Sequence, residues 1–370
     1  MEPVRVLQIF TILNRGGAET NIMNYYRKID RTKIQFDFLV HREEIGVFEE
    51  EIIALGGRIF RLPPINPFKL KNYHKQLNLF FDKNNYQIFH GHCSELGYYI
   101  YKNAFHRKIP VIIAHSHNSK VSFDYKLPFK LFWKKNMMQY LNAYFSCGKQ
   151  ASVWLFGAAK ASEAYIMKNA IDANIFKFDA VASSDKRQEL NTENTLNIVN
   201  IGSFIASKNH NFAIDIFSEV VKLQPNSKMF FIGKGNLQET LENKVKALNL
   251  QDKIIFLGVR NDVNEVLQAM DLLLFPSKFE GLPLSLIECQ AAGLKCIISD
   301  KIPSEAILIP ENVDVISLNK NPKYWAEKIY SFRNFKKENV SELIINSGYD
   351  IDENAKNLEK KYLELLKKHT

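Results

Sequence analysis

Phe275-Pro-Ser-Lys-Phe-Glu280-Gly-Leu-Pro-Leu-Ser-Leu-Ile-Glu288-Cys-Gln-Ala-Ala-Gly293 is the stretch on which the reading of this chain turns. The apolar run Leu272 to Phe275 has the length of a buried strand, and Pro276 ends it. Glu280-Gly281 makes a turn, and Pro283 opens a helix. Glu288 lies eight positions after Glu280 and therefore falls inside that helix. Free backbone N–H groups at such a helix start favour anionic oxygens. The two carboxylates accept hydrogen bonds from hydroxyl groups. Strand, turn and helix together offer donors for a phosphate beside acceptors for a sugar.

Outward from this stretch, strand-like runs alternate with helical patterns along the whole chain. Before it come Val4–Ile9, Gln35–Val40, Arg58–Leu62, Gln87–His90, Val111–Ala114, Ala143–Cys147 and Ala164–Met167. A second series runs through Leu196–Ile201, Lys228–Ile232, Lys253–Leu257, Asp271–Phe275, Cys296–Ser299 and Val313–Ile316. Helical stretches such as Lys71–Asp82 and Leu96–Phe105 separate several of them. This alternation predicts parallel sheets covered on both faces, and two series predict two Rossmann-like α/β domains facing a cleft. The polar segment Asp179–Asn194 reads as the linker. It sets domain boundaries of 1–178 and 195–350. A final helix over 353–367 shows its apolar face at Leu358, Tyr362, Leu365 and Leu366.

Size and composition agree with two domains. The chain has 370 residues, more than one core usually supports, with 46% hydrophobic and 24% charged residues, as in an ordinary globular protein. Cys93, Cys147, Cys289 and Cys296 show neither a CxxC nor a paired metal spacing and are expected as reduced core residues of a cytoplasmic protein. The first residues, MEPVRVLQIF, read as a strand rather than a signal peptide, and no apolar run is long enough to span a bilayer.

The order strand–PSxxEGLPLxxxE–strand resembles the E-x7-E signature of retaining glycosyltransferases of family 4, which have the GT-B fold. Cys289 and Gln290 stand where many relatives carry Ala and Met. The resemblance covers nearly the whole chain and is nearest to bacterial capsule and exopolysaccharide enzymes. It implies transfer of a hexose from a nucleotide-diphosphate sugar, UDP above all, to a saccharide acceptor on a lipid. No cofactor and no metal is implied, and the last helix is expected to cross back to the N-terminal domain. In such enzymes transfer occurs on the face the nucleotide leaves, with its phosphate oxygen helping to deprotonate the acceptor. No protein nucleophile is then required.

Site residues follow position by position. Glu288 is expected to hold the ribose, Glu280 and His117 the donor sugar, and Lys208 with the helix start at Gly281, Leu282, Pro283 and Leu284 the diphosphate. Gly202-Ser203 matches the position where relatives read GR. The missing arginine removes a charged hydrogen bond of about 1.5–3 kcal/mol unless Lys234 or Arg260 replaces it. The run Phe256-Leu-Gly-Val-Arg260-Asn-Asp262 resembles the stretch whose backbone pairs with the base. Gly16-Gly17, after the first strand, matches the family's N-terminal glycine loop, and Asn169 its NGID-like turn. His115 and His117 follow a strand's carboxyl end, where ligands of α/β sheets gather, and His117 is the favoured one. His90-Gly-His92 closes the neighbouring strand. The four histidines suggest zinc by residue type, but no acidic group accompanies them, and His90 is expected to be structural.

Three further features have plainer readings. Asp350-Ile351-Asp352 is a DxD triplet, but it precedes a helix, where acids act as caps. The segment 125–135 interleaves aromatic side chains with lysines, in a chain of net charge +9 and pI about 9.1. It forms either a basic amphipathic face for an anionic membrane surface, placing the protein peripherally at the inner side of the plasma membrane, or a core helix with snorkelling lysines. No nucleic-acid motif accompanies the charge. Two other functions share these residues: a non-catalytic partner of another transferase, which Ser203 favours, and a GT-B epimerase acting on a UDP-sugar.

Overall fold

A computed structural model describes residues 2–66, 70–117 and 127–370 and divides into two compact units. Unit 1 comprises Met1–Ala170 with Ile351–Thr370, and unit 2 comprises Ile171–Asp350.

Unit 1 is built on β1 (Val4–Ile9), β2 (Ile34–Val40), β3 (Ile59–Arg61), β4 (Ile88–Gly91), β5 (Val111–Ser116), β6 (Ala143–Ser146) and β7 (Tyr165–Ile166). They form one sheet in the order β3-β2-β1-β4-β5-β6-β7, parallel at every pairing. Strands β2, β4 and β5 are buried at every residue, as a sheet covered on both faces requires. Successive side chains serve opposite cores. Val6, Ile88 and Ile113 join one cluster, while Leu7, Phe89 and Ile112 join the other.

Helix α1 (Gly17–Lys28) buries Ile22, Met23, Tyr25 and Tyr26 in the first of these cores. Helix α2 (Leu127–Met137) sends Trp133 and Met137 into the second and leaves Phe129, Leu131 and Phe132 substantially exposed. Tyr125 and Lys126 of the basic aromatic segment lie outside the described residues.

Unit 2 holds β8 (Leu196–Ile201), β9 (Ser227–Ile232), β10 (Ile254–Gly258), β11 (Leu272–Phe275), β12 (Lys295–Ser299) and β13 (Val313–Ile316). Their order is β10-β9-β8-β11-β12-β13, again all parallel. In both sheets the winding reverses beside the first strand, between β1 and β4 and between β8 and β11. Loops leaving the carboxyl ends of those strands diverge there, and ligands of open α/β sheets bind at such points.

The segment read as a linker belongs to unit 2 instead. Residues Ala180–Glu189 form helix α3, capped by Asp179, whose carboxylate accepts from Ala182 N at 2.9 Å. Ser183 Oγ donates to Gln268 O at 2.7 Å, Asp179 N donates to Gln268 Oε1 at 3.0 Å, and Arg187 pairs with Asp271. Polar side chains fix this helix, with Ser183 its only buried residue. Its composition therefore resembles that of a loop. The remaining helices that matter here are α4 (His210–Leu223), α5 (Leu284–Ala291) and α6 (Ile351–His369).

Helix α6 packs on unit 1. Ile351, Ala355, Leu358, Tyr362 and Leu365 enter the same core as Val6 and Phe36, at a spacing that keeps one face inward. Lys28 pairs with Asp352 at 3.0 Å, and Glu359 accepts from Asp30 N at 2.6 Å. Asp350, the first acid of the DxD triplet, forms a bridge with Ile171. The four cysteines carry no disulfide, and no described helix is long and apolar enough to cross a membrane.

Candidate functional site

In unit 2 two loops are tied together at the β8/β11 reversal. Asn209, in the left-handed conformation at φ 58°, donates Nδ2 to Pro276 O at 3.1 Å, and Lys278 N donates to Ser207 O at 2.7 Å. These bonds bring Lys208 Nζ to 2.7 Å from both carboxylate oxygens of Glu280, which is only 8% exposed. The lysine stem passes over Gly202, where a Cβ would meet Lys208 Cε at 3.3 Å, and Nζ sits 5.3 Å above the Phe275 ring. Gly233, at φ 144°, supports the floor: a Cβ there would lie 2.1 Å from the Gly202 carbonyl oxygen. Only glycine permits that approach.

Helix α5 starts next to this pair. Pro283 is its N-cap and supplies no side-chain bond, so the first-turn N–H groups lack a side-chain acceptor from the cap. Leu282 and Leu284 are buried, Gly281 half-buried. Glu288 is half-buried, and desolvation pushes its carboxyl up to about 7. Among the described residues no side chain holds that carboxyl. Gly202, Ser203, Lys208, Glu280, the start of α5 and Glu288 are thus assembled within one unit.

The two proposed replacements for the missing arginine differ. Arg260 is committed to Asp262, Nε to Oδ1 at 2.8 Å. Lys234 is exposed, and its carbonyl accepts from Phe204 N at 3.1 Å, which puts its residue beside the exposed Ser203. His210, which the sequence reading did not single out, is buried against Phe204 with neither ring nitrogen bonded. Desolvation, then the charge of Lys208, pushes it down to about 4. Its only sequence signal is its place two residues after Lys208.

In unit 1 the loop after β1 leads to Gly16, the N-cap of α1. The Glu19 side chain folds back there, so that a Cβ on Gly16 would lie 2.2 Å from Glu19 Oε2. Desolvation raises that carboxyl to about 7. Gly17 faces open space and has no such steric requirement. Asn169 is buried in a segment held by α1, where Tyr25 Oη donates to Lys168 O at 2.9 Å and Asn24 Nδ2 to Ala170 O at 3.0 Å.

The histidines gather beside the β1/β4 reversal. His90 Nε2 lies 3.1 Å from His115 Nδ1, and His92 Nδ1 lies 2.8 Å from His117 Nε2. Two residues that the sequence reading missed close the group. Gln8 Oε1 is 2.8 Å from His92 Nε2, and Tyr362 Oη is 2.6 Å from His90 Nδ1. Desolvation holds all four rings well below the ordinary histidine range, His117 at about 3, so they are neutral near pH 7.

Nitrogens of His90, His92 and His115 come within 4.8 Å of one another, close enough for a metal by distance alone. The rings are stacked, however: His90 on His92 at 4.3 Å and 29°, His115 on His117 at 4.0 Å and 22°. Stacked rings direct their in-plane lone pairs side by side, whereas a shared ion needs them to converge. This arrangement favours hydrogen bonding over coordination.

Comparison with known proteins agrees with this architecture. Residues 182–349 match the family described as glycosyl transferases group 1. Over 361 residues the chain is 30% identical to the putative glycosyltransferase EpsF of Bacillus subtilis (strain 168), covering 95% of this chain and 94% of that protein. It is 29% identical over 140 residues, 36% of each chain, to the UDP-Gal:alpha-D-GlcNAc-diphosphoundecaprenol alpha-1,3-galactosyltransferase of Escherichia coli. The structure of Anabaena HepE in complex with UDP superposes with a TM-score of 0.79 at 14% identity, over 98% of this chain and 100% of that one. With its two parallel α/β sheets and this relatedness along nearly its whole length, the chain belongs to the glycosyl transferases group 1 family and has the GT-B fold.

Proposed function

We propose that the protein is a retaining, metal-independent hexosyltransferase of the family 4 type that uses a UDP-sugar and a lipid-linked saccharide in surface polysaccharide assembly. The observation that carries this reading is the Lys208–Glu280 pair beside the bare start of α5, with Glu288 further along the same helix. A nucleotide diphosphate needs a cation and N–H donors together, and this loop cluster supplies both. Lys208 and the first-turn N–H groups stabilise the charge that grows on the departing diphosphate. That removes the need for a divalent ion or a cofactor.

Glu288 accepts from the ribose hydroxyls. Glu280, paired with Lys208, accepts from the donor sugar, and in unit 1 His117 is the residue assigned to saccharide. The diphosphate oxygen takes the acceptor proton on the face the nucleotide leaves, so no protein nucleophile is assigned. On the acceptor side stand Gly16, Gly17 and Asn169.

UDP is favoured because the E. coli relative uses UDP-Gal and the HepE structure contains UDP. The diphosphoundecaprenol in that relative's name supports a lipid-linked acceptor. So does the α2 face of Phe129, Leu131 and Phe132 beside Lys134 and Lys135, which suits an anionic membrane surface at the inner leaflet. Ser203 favours a second reading, a partner that binds nucleotide-sugar without turnover.

The test has two steps. Thermal melts with UDP, GDP, ADP and dTDP, without and then with magnesium, are expected to show a rise with UDP already present without metal. Product analysis with UDP-hexoses and a diphospholipid-linked sugar is expected to give a glycoside of retained anomeric configuration. Binding without product selects the non-catalytic partner, and a changed UDP-sugar formed without acceptor selects an epimerase.

A further inference from the structure

The hydrogen bonds around the histidines tie the positions of their protons to the orientation of the Gln8 amide. A neutral imidazole has one N–H and one lone pair. Gln8 has two different faces to offer: its Oε1 meets His92 Nε2 at 2.8 Å, and its Nε2 donates to Tyr362 Oη at 3.2 Å. His92 therefore carries its proton on Nε2 and presents Nδ1 as an acceptor. The ring atom that meets that acceptor, at 2.8 Å, is His117 Nε2, so His117 also carries its proton there. Its Nδ1 is left as a lone pair.

The second arm follows the same logic. With Tyr362 accepting from Gln8, its own proton is satisfied by His90 Nδ1 at 2.6 Å, whereas a His90 Nδ1–H would leave that buried hydroxyl proton unpaired. His90 then donates from Nε2 to His115 Nδ1 at 3.1 Å. All four rings come out as the Nε2–H tautomer, at the cost of a buried His115 Nε2–H with no partner among the described residues. Turning the Gln8 amide over would reverse every bond in both arms and give four Nδ1–H rings instead. One side-chain amide thus sets the polarity of the whole group, and the Tyr362 hydroxyl is the link that couples its two halves. Mixed patterns cost more, because they put two lone pairs face to face or leave the buried Tyr362 hydroxyl proton without an acceptor.

The consequence lies at His117. It is half-buried at the end of β5, and among the described residues its Nδ1 has no partner. We propose that Gln8 and Tyr362 are positioning residues that hold His117 as the Nε2–H tautomer, so that it meets bound saccharide as a hydrogen-bond acceptor and selects a hydroxyl there. A group that only accepts, such as a carboxylate or an ether oxygen, is disfavoured at that position, since two lone pairs would oppose each other. The inference rests on the reading above that His117 faces the sugar. The tautomer assignment itself does not need substrate.

The experiment is long-range nitrogen–proton correlation NMR on the full-length protein with 15N-labelled histidine, as wild type and as Tyr362→Phe. Wild type is expected to show Nε2–H signatures for His90, His92, His115 and His117. Tyr362→Phe removes one oxygen, frees the Gln8 amide to turn, and is expected to move His90 and His117 to averaged tautomers. Its kcat/KM for sugar transfer should fall about tenfold while its affinity for UDP alone stays within twofold, since the nucleotide groups belong to unit 2.

Should Tyr362→Phe fail to fold, Gln8→Met removes the same polarity control from the other side and carries the same expectation for His117. An Nδ1–H signature at His117 in wild type overturns the proposal. So does a His117 tautomer unmoved by either variant, or metal-shifted nitrogens after addition of zinc alone. Correct tautomers with no turnover of any UDP-hexose would count against the transferase reading and leave the network standing.

Discussion

Replacing Lys208 by Met strands the Glu280 carboxylate. In the folded chain that carboxylate is 8% exposed and receives both of its close contacts, at 2.7 Å, from the lysine ammonium. Removing one partner of a buried ion pair costs about 3–5 kcal/mol, because the remaining charge stays out of water. Lys208 itself keeps 19% exposure, which lets water reach the pair and favours the lower end, about 3 kcal/mol. For a unit of this size that is a fall in Tm of about 6–12 °C. Glu280→Gln added to Lys208→Met removes the stranded charge and should restore all but about 1 kcal/mol of the loss.

Binding should behave differently. A charged hydrogen bond contributes about 1.5–3 kcal/mol, so UDP should bind ten- to a hundredfold more weakly to Lys208→Met and equally weakly to the double variant. Scanning calorimetry of the three proteins, with and without UDP, gives both answers. A Lys208→Met protein that melts with wild type, or a double variant no more stable than the single, would refute the reasoning.

Two other variants have expected outcomes. The Glu288 carboxyl, raised from 4.5 to about 7 by desolvation, keeps in the folded state a proton that the unfolded chain has already released between those values. Unit 2 therefore loses stability as pH rises through that window, by up to about 3 kcal/mol, and Glu288→Gln should flatten the dependence in urea unfolding at about pH 4.5 and pH 7.5. The same variant should weaken UDP binding at higher pH by about tenfold. Ser203→Arg should tighten binding of UDP by roughly ten- to a hundredfold in calorimetric titration, with Lys234 beside it rather than the committed Arg260 as the present cation; unchanged affinity would place residue 203 away from the diphosphate.

Much of the backbone frame of the candidate site in unit 2 was legible because it is local. The apolar run Leu272–Phe275, the turn at Gly281 and the helix-opening Pro283 are neighbours in sequence, and backbone chemistry alone arranges them. The partnership of Lys208 with Glu280 depends on two loops held by Asn209 and Lys278, and no pattern in either loop announces it. Helix α3 was hidden for the opposite reason. Its stability comes from a cap and from side-chain bonds to Gln268 and Asp271, so it has no apolar stripe to read. Gln8 and Tyr362 were missed because their significance is pairwise. A lone glutamine in an apolar strand and a tyrosine on a helix acquire meaning only when the fold brings them to 3.2 Å across nearly the entire chain.

That long reach also orders events during synthesis. Unit 2 is continuous in sequence, but the core of unit 1 waits for Ile351, Ala355, Leu358, Tyr362 and Leu365. At about 5–20 residues per second, the ribosome needs on the order of 10–40 s to make unit 2 before it reaches them. Throughout that interval the apolar side chains that share a core with those five residues lack their cover, and His90 and Gln8 lack the Tyr362 hydroxyl. The part of the chain that emerges first is thus the part that matures last, and a chaperone meeting the nascent protein would find its binding surface there.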